Sequence, residues 1–87
     1  MDWIVEAALH AFDDAGVARS TIDHTVIGYE SEILARQVSM GQIVQDMLGL
    51  NPKPSIRVEA GGGTGGAALR TAFAYLQAGL CESVLVL

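Results

Sequence analysis

The 87-residue chain holds one cysteine, two prolines, five basic residues and 6% aromatics. The single cysteine, Cys81, excludes an internal disulfide framework and any multi-cysteine metal site. The basic residues Arg19, Arg36, Lys53, Arg57 and Arg70 are scattered and outnumbered by ten acidic ones, leaving a net charge of −5. A nucleic-acid footprint needs a basic face, so none is expected. No apolar run approaches the roughly 18–20 residues of a membrane span, and Met1-Asp2 opens without the positive segment of a signal peptide. A reducing cytoplasm is the default expectation. Disordered chains are poor in apolar residues, whereas this one is 51% hydrophobic with ten glycines. At this length a single core is only marginally stabilising. The surplus apolar surface therefore points to faces completed by a partner or by the rest of a larger protein.

Periodicity organises the chain. Ile4, Ala8, Ala11, Phe12 and Ala15 keep the spacing of one buried helical face over 2–15. Asp2 stands as its N-cap and Gly16 at its left-handed end. A polar connector over 19–23 leads to a β-branched, aromatic strand at 25–29. Residues 30–38 are ambiguous and read as loop, with a helical turn as the alternative. Met40, Ile43, Val44, Met47 and Leu48 form an apolar stripe over a helix at 39–48, which Gly49 ends before a loop marked by Pro52 and Pro54. A strand at 55–60 enters the glycine run 61–66 and then a helix over about 64–78. That helix is small on one side (Gly65, Gly66, Ala67, Ala68, Ala72) and larger on the other (Leu69, Phe73, Leu76), which predicts an enclosed helix. Gly79 ends it, and the apolar run 83–87 reads as a strand buried on both faces. The order α-β-α-β-α-β implies an α/β layered, mostly parallel sheet.

The glycine turn is the candidate site. A strand meeting a glycine-rich turn and a helix makes an anion site, because the first helical N–H groups are unpaired and the dipole end is positive. Gly61, Gly63 and Gly66 also satisfy G-x-G-x-x-G, which keeps a dinucleotide-binding half-domain as one reading. Against it, a near-continuous glycine run meets that template by chance, and the preceding strand carries Arg57 and Glu59 where the fingerprint has an apolar strand. The lysine of a phosphate-binding P-loop and the serine of a nucleophile elbow are both missing.

The stretch Val58-Glu59-Ala60-Gly61-Gly62-Gly63-Thr64-Gly65-Gly66-Ala67-Ala68, followed by Ala78-Gly79 and Ser83-Val84-Leu85-Val86-Leu87, resembles the thiolase superfamily, closest to its archaeal and sterol-carrier-type branch. There the strand, turn and helix read V-E-A-A-C-A-S-G-G-A-A. Upstream, Glu6-Ala7-Ala8 through Asp14-Ala15-Gly16, Ile22-Asp23 with Val26-Ile27-Gly28, and Leu48-Gly49-Leu50 are similar to the family's first helix, strand and lead-in, in the same order. The resemblance covers nearly the whole chain and implies an α/β fold acting on CoA thioesters, with no further cofactor and no metal. It also implies a homo-oligomer, and an OB-fold/zinc-ribbon accessory subunit as a possible partner.

Two departures matter. Gly62 occupies the family's nucleophilic cysteine position, where a thiolate takes the acyl group while the helix N-terminus lowers its pKa. Glycine cannot do this. Cys81 lies 19 residues on, more than about 20 Å along the helix, and cannot substitute. The resemblance thus implies no catalytic nucleophile here, and a substrate-binding role for Gly61, Gly62, Gly63, Thr64 and Gly65. Second, the family opens with a strand that lies mid-sheet, whereas Met1 stands just ahead of the first helix. Residues 1–87 then read as a partial half-domain lacking its first strand, with the strand at 83–87 left without a neighbour on either side.

Other residues carry plainer readings. His10 reads as a surface or core-edge side chain and His24 as solvated in a connector. Glu59 either orients the turn or pairs with Arg57 or Arg70. Thr64 caps the helix or touches ligand. Trp3, Phe12 and Phe73 read as core or interface, Met40 and Met47 as core, and Cys81 as a small buried residue. Three functions stand: a non-acylating thiolase-like fragment, aldolase-like or accessory; a small α/β interaction module; and the dinucleotide half-domain.

Overall fold

The computed structural model describes residues 2–29 and 40–87, with the side chains of Asp2, Met40 and Gly41 outside that description. The expected loop at 30–38, the capping role of Asp2 and the core role of Met40 therefore lie outside the described residues. In chain order the elements are α1 (Asp2–Ala15), β1 (His24–Gly28), α2 (Met40–Met47), β2 (Ser55–Val58), α3 (Thr64–Gln77) and β3 (Val84–Val86). One-turn 3₁₀ segments precede β1 (Arg19–Thr21) and α3 (Gly61–Gly63).

Among the described residues, the three α-helices end by the same device. Gly16, Gly49 and Gly79 sit at φ near +70°. The amides of Val17, Leu50 and Leu80 reach back five residues to the carbonyls of Phe12, Gln45 and Tyr75. This is the Schellman geometry, which satisfies carbonyls that a helix end otherwise leaves open. The glycine positions make these stops readable in the sequence.

The strands form a parallel sheet of order β2-β1-β3. Val26 stands beside Ile56 on one edge and beside Val86 on the other. The α/β class and the parallel pairing are as the sequence predicts. The isolation expected for the last strand is not found: β3 pairs directly with β1, and Leu87 N–H donates to the Val26 carbonyl at 2.9 Å. The alternative would leave peptide groups unpaired, and a direct β1–β3 ladder pairs them.

Strand alternation splits the interior in two. On one face Ala8, Phe12, Ile22, Val44, Leu48, Leu50 and Leu85 pack together, covered by α1 and α2. On the other, Val26 meets Ala68 and Ala72 of α3, with Val58, Val84 and Val86 at the margin. The three layers are thus helix pair, sheet and single helix.

Several expected burials shift. Ala11 and Ala15 of α1 are exposed. In α2 the buried face turns from Met47, which is exposed, toward Gln45, which is fully buried beside Val44 and Leu48. The reason is a polar tie: Gln45 Nε2 donates to the Lys53 carbonyl at 3.0 Å, fastening α2 to the proline loop. The enclosure expected of α3 is not found: Ala68 and Ala72 of its small side pack on the sheet, while Gly65, Gly66, Leu69, Phe73 and Leu76 are exposed, so this helix is covered on one side only. Only Leu85 of β3 is fully buried; its flanking valines are half-exposed.

Candidate functional site

The glycine turn stands at the carboxyl end of β2 and leads directly into α3. Ala60 leads into it with φ −149° and ψ 41°, and Gly61 follows at φ +55°, in the left-handed region that glycine tolerates best. Gly63 N–H donates to the Ala60 carbonyl at 3.0 Å, and Thr64 N–H donates to the Gly61 carbonyl. Two of the amides expected to await an anion are therefore engaged within the turn.

Thr64 is the organiser of this segment. It is the first residue of α3, it is buried, and Gly63 rather than Thr64 holds the N-cap position. Its hydroxyl donates to the Gly61 carbonyl at 2.6 Å and accepts from the Ala60 N–H at 3.0 Å. That side chain closes the turn on itself. A capping threonine and a ligand-touching threonine were the two sequence readings, and the hydroxyl is committed to neither.

Beneath the turn, Thr64 packs on Gly28. A methyl built on Gly28 would lie 3.0 Å from Thr64 Cγ2 and 3.4 Å from Ala68 Cβ. The glycine lets α3 settle on β1, bringing the turn down onto the end of the central strand.

The other turn residues face outward. Gly61, Gly62, Gly63, Gly65 and Gly66 are exposed, and a methyl on Gly62 meets no heavy atom within 4 Å. The turn is open to a ligand on its outer side. Cys81, half-buried, lies beyond the far end of α3, a helix of 14 residues and hence about 20 Å long. The dinucleotide reading gains no footing here. Gly61, Gly63 and Gly66 follow an edge strand half-exposed along its length, away from a mid-sheet crossover where such ligands lie.

The remaining candidates separate from the turn. His10 and Glu59 are exposed. His24 opens β1, half-buried, with Nδ1 3.1 Å from the Thr25 carbonyl and its ring edge-on to Tyr75 at 4.8 Å. It is thus a packing residue, not the solvated connector residue expected. Arg57 donates from Nε to the Tyr29 carbonyl at 3.1 Å and lies 5.2 Å over the Tyr29 ring. Phe12 is core, while Trp3 and Phe73 are exposed. Sequence reasoning passed over Gln45 and Thr25, both buried, because polar residues ordinarily mark a solvated face. Among the described residues no cluster of three or more His, Cys, Asp or Glu side chains could hold a metal ion, and no helix is long and apolar enough to cross a membrane.

No family model matches the chain. It is 36% identical over 85 residues to an acetyl-CoA acetyltransferase of Methanothermobacter thermautotrophicus, a match over 97% of this chain and 22% of that protein. It is 37% identical over 84 residues to an acetyl-CoA acetyltransferase of Methanocaldococcus jannaschii, over 95% of this chain and 21% of that protein. The chain spans about a fifth of the length of the curated relatives it matches.

Proposed function

This chain is a relative of the thiolase superfamily, and from that premise we propose that it takes part in acyl-CoA chemistry without forming an acyl-enzyme. The observation that carries the reading is Gly62. The resemblance sets it at the nucleophile's place, and it stands at the head of α3 with open space where a side chain would be. Acyl transfer through a thioester needs a thiolate there. Carbon–carbon cleavage or formation of the aldolase or retro-aldolase type does not. It needs an enolate stabilised and a proton moved.

In this reading Gly61, Gly62, Gly63 and Gly65 receive the thioester, on a turn that the Thr64 hydroxyl holds closed. The backbone around Gly61 and Gly62 meets the acyl oxygen near the positive end of the α3 dipole. The space left by the missing side chain takes acyl-group bulk. An accessory subunit carrying the remaining acid–base groups fits the same reading, as does a non-catalytic role within such an assembly.

Intact-mass spectrometry and ligand-observed NMR with acetyl-CoA and longer acyl-CoA esters test it together. The expected result is saturable, reversible binding with no covalent adduct. Gly62→Cys should fold normally and place a thiol whose pKa falls below the ordinary ~8.5. A covalent acyl adduct on the unsubstituted chain, or no acyl-CoA binding, overturns the proposal.

A further inference from the structure

Thr64 is the one residue of 61–66 that is not glycine. A glycine run holds no conformation of its own, because without Cβ the backbone visits both signs of φ at little cost. The turn is therefore fixed from outside the glycines, and three contacts converge on Thr64. Its N–H and its hydroxyl both donate to the Gly61 carbonyl. Its oxygen accepts from the Ala60 N–H at 3.0 Å. Its Cγ2 lies over Gly28 of β1, which holds the buried side chain in place from below.

Pinning the Gly61 carbonyl acts one bond further on. The peptide between Gly61 and Gly62 is planar and trans, so its N–H points opposite to its carbonyl. With that carbonyl drawn onto Thr64, the Gly62 N–H is aimed away from Thr64. Gly62 is exposed, and a methyl on it would meet no heavy atom within 4 Å. We propose that Thr64 is a positioning residue: it directs the Gly62 N–H at the acyl oxygen of a bound CoA thioester without touching the ligand itself. For the ligand the proposal rests on the acyl-CoA reading above; for the positioning it rests on the hydrogen bonds of Thr64. The role differs from capping, which would satisfy a helix N–H. It differs also from ligand contact through the hydroxyl proton, which is spent on Gly61.

Backbone ¹⁵N relaxation and titration with acetyl-CoA test the two halves on the same samples. In the unsubstituted chain the Gly62 amide should be ordered like a helix, with an order parameter near ~0.85, although it is an exposed glycine between glycines. Thr64→Val should drop that value below about 0.6. At equal folded fraction it should also weaken acetyl-CoA binding about fivefold. Thr64→Ser keeps the hydroxyl and should hold Gly62 order and affinity close to those of the unsubstituted chain. Ala72→Gly loosens the same helix against the sheet, away from the turn, and should leave both readouts unchanged. A mobile Gly62 in the unsubstituted chain overturns the proposal even if Thr64→Val does not fold. So does a Thr64→Val chain that keeps Gly62 order and affinity, or an equal loss of both in Ala72→Gly. Failure of acetyl-CoA to bind the unsubstituted chain overturns the acyl-CoA reading, and the Gly62 order parameters still decide the positioning.

Discussion

Gly28 and Thr64 are in contact across the junction of central strand and third helix, so close that a methyl on Gly28 would stand 3.0 Å from Thr64 Cγ2. The same threonine closes the glycine turn with its hydroxyl. Strand, helix and candidate site are thus tied at one residue pair.

Gly28→Ala should lift α3 from β1 and cost about 1–3 kcal/mol, the usual penalty of overpacking. Combining it with Thr64→Ser removes Cγ2 and should recover part of that loss. A double-mutant cycle in chemical denaturation reads the coupling, and additive effects would show that the contact does not limit the approach.

The hydroxyl of Thr64 has a separable role. Thr64→Val keeps the shape and strands the Ala60 N–H, while the Gly61 carbonyl keeps its bond from the Thr64 N–H, so it should cost about 1–3 kcal/mol. Thr64→Ser keeps both bonds and should cost less. Amide exchange at Ala60 is the local readout: protection should fall in the valine variant and persist in the serine variant.

Neighbouring glycines should respond in opposite senses. Gly61 holds φ +55°, so Gly61→Ala should destabilise by about 1 kcal/mol. Gly62 has no positive φ and open space around its would-be Cβ, so Gly62→Ala should be neutral or stabilising by up to about 1 kcal/mol through the unfolded chain. Thermal unfolding of the two variants side by side decides it.

Thr25 offers a gain in stability. It is 1% exposed in the central strand, and its hydroxyl has no hydrogen-bond partner. Thr25→Val removes a desolvated oxygen at nearly constant shape and should stabilise by about 1 kcal/mol, raising Tm by about 4–8 °C in a domain of this size. A lower Tm would show that the hydroxyl is satisfied by bound water.

The elements were legible wherever periodicity and punctuation agreed. Gly16, Gly49 and Gly79 stop helices as read, and the β-branched runs around Val26 and Val86 pair in parallel. Burial was less legible, because it depends on what lies opposite. Met47 continues an apolar stripe yet points outward, while Gln45 points inward to a carbonyl eight residues on. Residues 69, 73 and 76 show the same limit: their pattern announces a face and leaves its cover unnamed. At the site, the glycine turn between β2 and α3 was readable from its composition. The closure by Thr64 rests on two hydrogen bonds that no spacing rule encodes.

The wholly parallel sheet has a consequence for how the chain comes together. The central strand finds both neighbours far along the sequence: Thr25 pairs with Ser55, and His24 with Val84. No hairpin shortens either search, so contact order is high and folding correspondingly slow. During synthesis β1 and β2 can pair while β3 is still unmade. One flank of the central strand then stays open until residues 84–86 arrive, and that interval is when the growing chain is most exposed to wrong strand partners.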